Sequence, residues 1–126
     1  MDQPRMRIAA TVLGAPDARA LAAFYEQLLG WTRVADEPGW VMLRPPTRGT
    51  GLSFQHEQDY AAPVWPPSPG KQQMMMHLDI AVEDLEAAVS WACELGATVA
   101  EHQPQDEVRV MLDPVGHPFD FFVAPV

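Results

Sequence analysis

The stretch from His77 to Ala97, H-L-D-I-A-V-E-D-L-E-A-A-V-S-W-A-C-E-L-G-A, limits the fold more than any other part of the chain. Leu78, Ile80 and Val82 alternate as a strand does. Asp84 then offers a side-chain acceptor for the free N–H groups of a helix start. Leu85, Ala88, Val89, Ala92 and Leu95 recur at helical spacing, and Gly96 provides the left-handed stop. A second stretch follows the same plan. Ile8 to Leu13 favours a strand, Asp17 caps, Leu21, Phe24, Tyr25 and Leu28 make an apolar helix face, and Gly30 stops it. Laid on each other, the two place Asp17 on Asp84, Phe24 on Trp91, Ala10 on His77 and Gly51 on Gly116, with one residue inserted near the end of the first helix. A chain that repeats strand, cap, helix and stop is built from two copies of one supersecondary unit.

Each helix is followed by three more strand signals. In the first half these are Trp31 to Ala35, Trp40 to Arg44 after a Pro38-Gly39 turn, and Gly51 to Glu57 after a loop at Pro45 to Gly49. In the second half Met74 to Val82 is the leading strand. Thr98 to His102, Val108 to Leu112 and Phe119 to Val123 follow, with a loop at Gln103 to Asp106 and a tight turn at Asp113-Pro114-Val115-Gly116. The order is β-α-β-β-β twice, an α+β fold of two modules, residues 6–58 and 73–126. Between them, residues 59–72 hold Pro63, Pro66, Pro67 and Pro69. Proline at that density forbids helix interiors and sheet centres, so this is a linker.

Seventeen acidic against eight basic side chains leave a net charge of −9. Such a surface repels phosphate backbones, which argues against nucleic acid as a partner. No run approaches the roughly 20 apolar residues a membrane span needs, and M-D-Q-P-R-M-R has no apolar region of a secretory signal behind it. A soluble cytoplasmic protein with no membrane partner is expected. Cys93 is the single cysteine, so no intrachain disulfide forms, and it carries no assigned role.

The segments A-F-Y-E-Q-L-L-G-W (Ala23 to Trp31), H-L-D-I-A-V-E-D-L-E-A-A (His77 to Ala88) and D-P-V-G-H-P-F-D-F (Asp113 to Phe121) resemble the vicinal oxygen chelate superfamily, in particular its bacterial glyoxalase-like proteins. That group includes glyoxalase I, extradiol dioxygenases and the fosfomycin- and bleomycin-resistance proteins. The resemblance implies two curled sheets facing each other across a cleft, helices on their outer faces, and a homodimer. In members that use a metal, the ligands come from the first and last strand of each half. The matching positions here are Ala10, Gln55, His77 and Asp120.

Strand alternation can be set beside that carry-over. His77, Asp79 and Ala81 lie opposite the apolar face formed by Leu78, Ile80 and Val82. Asp120 lies between Phe119 and Phe121, and Gln55 between Phe54 and His56, so both should face the cleft while His56 turns away. Ala10 has no donor atom, so one ligand position of the family pattern is lost. Asp79 stands close enough in sequence to substitute. Among the aromatics, Trp31 suits the core. Trp40, Tyr60 and Trp65, with the Met74-Met75-Met76 run, suit a soft pocket for a small organic molecule. Trp65, in the proline-rich linker, fits equally as a lid on the cleft or as a packing plug.

Three functions follow. One is a glyoxalase-like binding protein that holds a small organic ligand against Trp65, Trp40, Asp79 and Tyr60, in the manner of the drug-sequestering relatives. Another is a lyase, isomerase or dioxygenase with a divalent cation (Zn, Ni, Mn or Fe) on His77, Gln55 and Asp120. The last is a non-catalytic scaffold whose cleft is filled by side chains. No G-x-S-x-G elbow, phosphate-binding glycine loop or H-E-x-x-H motif offers another chemistry.

Overall fold

The computed structural model describes residues 2–126. The chain divides into two compact units, one ending at Tyr60 and one running from Ala61 to Val126. In the first, β1 (Ala10–Ala15) leads into α1 (Ala18–Leu29), followed by β2 (Thr32–Glu37), β3 (Trp40–Arg44) and β4 (Gly51–His56). In the second, β5 (Leu78–Val82) leads into α2 (Leu85–Glu94), followed by β6 (Thr98–Val99), β7 (Val108–Leu112) and β8 (Pro118–Val123). The sheet orders are β1-β4-β3-β2 and β5-β8-β7-β6. In each sheet the first strand runs parallel to the last, and the other pairs are antiparallel. The repeated β-α-β-β-β order read from the residues is the order found.

The helix ends follow the residues expected to set them. Asp17 Oδ1 accepts from Ala20 N at 3.1 Å, and Asp84 Oδ1 accepts from Ala87 N at 3.0 Å. Each such cap contributes about 1 kcal/mol. Gly30, at φ +68°, donates its N–H to Glu26 O at 2.9 Å. At the end of α2, Gly96 N donates to Cys93 O and Ala97 N to Ala92 O, and Gly96 sits at φ +115°. That pair of bonds is a Schellman motif, which needs the left-handed residue glycine supplies.

In the first unit α1 buries Leu21, Phe24 and Tyr25 against Val41, Leu43, Leu52 and Phe54 of β3 and β4. The Tyr25 ring stacks on Phe54 at 5.7 Å and Phe24 meets Tyr25 edge-on at 4.8 Å. Each buried aromatic or leucine stabilises by about 1.5–3 kcal/mol. In the second unit Phe119 and Phe121 of β8 are buried and meet edge-on at 5.4 Å. Trp91, the residue laid on Phe24, is 46% exposed, so the repeat keeps order and caps but not this packing position.

Two strands are shorter than predicted by more than one residue. The Met74 to Val82 strand begins only at Leu78. Leu78 pairs with Phe119, so the next step back would pair His77 with Pro118, which has no N–H to donate. The Thr98 to His102 strand stops at Val99. Beyond it the Gln103 side chain takes over the edge of β7. Its Nε2 donates to Ala100 O and to Val110 O, and its Oε1 accepts from Val110 N, all at 2.8 Å. At the other end of β7, the buried Asp113 accepts from Val115 N and His117 N at 3.0 Å, building the tight turn around Gly116 at φ +94°.

Candidate functional site

The parallel pairing of β5 with β8 sets Asp79 beside Asp120. Neighbours in a register share a sheet face, so both carboxylates point the same way. His77, two residues before Asp79 in an extended chain, points that way too. Its Nε2 lies 2.9 Å from Asp79 Oδ1 and 3.7 Å from Asp120 Oδ2. One ligand atom from each of the three falls within 4.8 Å of the others. The His77 and Asp79 side chains are open to solvent at 41% and 59%, whereas that of Asp120 is exposed by only 16%.

Burial acts most strongly on Asp120, followed by its hydrogen bond to Asp79 and the charge of that neighbour. Together they push the Asp120 carboxyl from the ordinary 3.8 up to about 6, although His77 pulls the other way. The half-sequestered carboxylate pair therefore lacks enough positive charge nearby. Such a pair can hold a cation, accept hydrogen bonds from a cationic or hydroxylated ligand, or exchange a proton close to neutrality.

A cavity of about 180 Å³ opens beside this cluster. Trp65, Met74, Val108 and Val110 are among its apolar lining residues, and His77, Gln105 and Asp120 are its polar ones. Trp65 is held in place by its indole N–H, which donates to His102 O at 3.1 Å, with the two rings 5.8 Å apart. The proline-rich stretch thus serves as one wall of the second unit's cavity. Asp79 is not among the residues that line the cavity and meets it through its contacts with His77 and Asp120.

The remaining sequence candidates belong to the first unit. Trp40 and Gln55 are register partners across β3 and β4, and the Gln55 amide donates to Glu57 Oε1 at 2.8 Å. Tyr60 is half-buried at the end of that unit. The His56 ring nitrogen Nδ1 lies 2.9 Å from Pro16 O. Ala10 pairs with Gly51 as the first residue of β1. Counting along the paired strands, Asp79 and Asp120 in the second unit correspond to Val12 and Ser53 in the first, because Val12 pairs with Ser53. The first-unit counterpart of Asp120 by register is therefore Ser53 rather than Gln55. Ser53 is 1% exposed, and its Oγ has no hydrogen-bond partner among the described residues. Aligning turn glycines, Gly51 with Gly116, placed the match two residues away. Val108 and Val110 were not singled out from the sequence. They could have been counted back from the Asp113–Gly116 turn, since that hairpin pairs Val110 with Asp120.

A family model described as a glyoxalase-like domain matches residues 10–122. No curated protein matches the chain significantly. Solved structures do. A glyoxalase/bleomycin resistance protein/dioxygenase family enzyme from Burkholderia phytofirmans PsJN superposes with a TM-score of 0.73 at 16% identity, covering 95% of this chain and all of that one. A glyoxalase-related enzyme from Fulvimarina pelagi gives 0.68 at 20% identity, over 97% and 91% of the two chains. A lactoylglutathione lyase from Agrobacterium tumefaciens gives 0.62 at 19% identity, over 97% and 96%. At these identities the likeness is one of fold.

Proposed function

The chain belongs to the family of glyoxalase-like domains, and on that premise we propose that it is a small-molecule-binding protein whose ligand sits in the second unit against Trp65. The observation that carries this reading is the cavity itself. Trp65, Met74, Val108 and Val110 line it together with His77 and Asp120, a combination of apolar surface and a few polar groups that suits an organic body carrying one polar group. A ligand with a protonated amine or a hydroxyl suits the carboxylates, and the net charge of −9 raises the local concentration of cations. Sequestering of a drug-like compound belongs to this reading, as does a homodimer in the cytoplasm. Light scattering of the eluted protein tests the dimer.

Tryptophan fluorescence tests the binding. A panel of aromatic amines and cationic drugs should include compounds that quench emission saturably, and Trp65→Phe should weaken that response. If no compound in the panel quenches saturably, this reading fails.

A second reading rests on the donor set. One imidazole nitrogen and two carboxylate oxygens within 4.8 Å, all from the second unit, fit a divalent cation (Zn, Ni, Mn or Fe). A bound cation would supply Lewis-acid polarisation of a substrate oxygen, as in the lyases and dioxygenases the sequence resembles. His77 would offer its nitrogen, and Asp79 and Asp120 an oxygen each. Metal analysis of protein purified without chelator decides. Stoichiometric metal that disappears in His77→Ala would favour this reading over the first.

A further inference from the structure

The first unit holds a feature that the glyoxalase-like reading does not use. The chain has eight basic residues: Arg5, Arg7, Arg19, Arg33, Arg44, Arg48, Lys71 and Arg109. Arg19 is paired with Asp36, and Arg33 with Glu26 and Asp36. Arg7, Arg44 and Arg48 have no carboxylate partner among the described residues, yet all three line one open hollow of about 860 Å³. No acidic residue lines it, although acids outnumber bases by seventeen to eight along the chain.

The backbone brings these arginines together and holds them. Arg44 ends β3 and Thr50 precedes β4, so residues 45–50 form the connection between paired strands. Pro45 and Pro46 stiffen its start by fixing φ. Arg7 and Ile8 run alongside, tied by Gly51 N donating to Ala9 O at 2.9 Å and Thr50 Oγ1 donating to Ile8 O at 3.4 Å. Guanidinium groups present planar forks that match phosphate and carboxylate oxygens two at a time. Three such forks without a carboxylate partner among the described residues line one hollow together with Thr47, a lining suited to an anion.

We propose that this hollow binds a compact small-molecule polyanion carrying at least two negative charges, a phosphorylated or polycarboxylate compound. A long polyanion such as RNA is disfavoured, because its flanking phosphates would meet the acidic remainder of the surface. The hollow lies in the first unit, so the site is independent of the Trp65 cavity.

Calorimetric titration of the full chain at low ionic strength tests this, with pyrophosphate and citrate as the two probes. At least one should bind saturably at one per chain. Which of the two binds more tightly distinguishes phosphorylated from polycarboxylate ligands. Affinity should fall at least about tenfold in Arg44→Gln/Arg48→Gln, fall with added salt, and stay within about twofold in Lys71→Gln, which removes a positive charge outside the hollow. Arg48→Gln alone, in an exposed loop, serves if the double variant does not fold. The proposal is overturned if neither probe binds at millimolar concentration, if Lys71→Gln weakens binding as much as the arginine changes, or if single-stranded RNA binds where both probes do not.

Discussion

Asp120→Asn should make the metal-free protein more stable at pH 7.5, and the gain should vanish in acid. The Asp120 carboxyl is raised from 3.8 to about 6, by burial first and Asp79 second. The folded state therefore binds the Asp120 proton more tightly than the unfolded chain does. Stability from this group is fully present below about pH 4 and is lost as pH rises through about 6, since unfolding then releases the strained charge to water. Undiscounted, that difference in proton affinity would convert to about 3 kcal/mol. Solvent reaches the cluster through Asp79 and His77, and its screening brings the expected effect to about 1–2 kcal/mol. Asparagine is isosteric, carries no charge, and can donate its amide to Asp79. Urea unfolding with chelator present, at steps from pH 4 to 7.5, should show the two proteins diverging between about pH 4 and 6. At pH 7.5 the variant should melt several degrees higher. Asp79→Asn should move the pH-sensitive window of the otherwise native protein downward, because it removes a charge that raises Asp120. A difference between Asp120→Asn and wild type that is constant with pH, or a variant less stable at pH 7.5, would refute the account of the cluster.

Other changes read different parts of the structure. Asp113→Ala should cost about 1–3 kcal/mol by chemical denaturation, because the N–H groups of Val115 and His117 lose their buried acceptor. Gly51→Ala should cost at least about 2 kcal/mol, since a Cβ there would lie 2.7 Å from the Leu43 carbonyl oxygen and force β4 off β3. Ser53→Ala should be neutral or stabilising by up to about 1 kcal/mol in the same assay, as it deletes a buried hydroxyl without a partner among the described residues.

Much of the architecture was written in local signals. A helix cap, an apolar helical face and a glycine stop each act over four or five residues, so Asp17, Gly30, Asp84 and Gly96 could be placed without any tertiary information. Where the sequence misled, residues outside the segment in question were responsible. The length of β5 depends on Pro118, and that of β6 on the Gln103 side chain, and both effects lie outside the segments they shorten. Matching Gln55 with Asp120 failed in register for a related reason. A two-residue offset preserves strand alternation and so leaves no trace in the hydrophobic pattern, whereas the ladder of β1 with β4 fixes Ser53 as the counterpart.

The sequence by itself determined the repeat, the caps and the faces on which His77, Asp79 and Asp120 point, because these follow from periodicity along one strand or helix. Only the tertiary structure decided that Asp79 and Asp120 are neighbours, that Trp65 walls a cavity beside them, and that Arg7, Arg44 and Arg48 share one hollow. Those juxtapositions depend on strand register and loop path. Register is set by which backbone groups meet across the sheet, and no single segment carries that information.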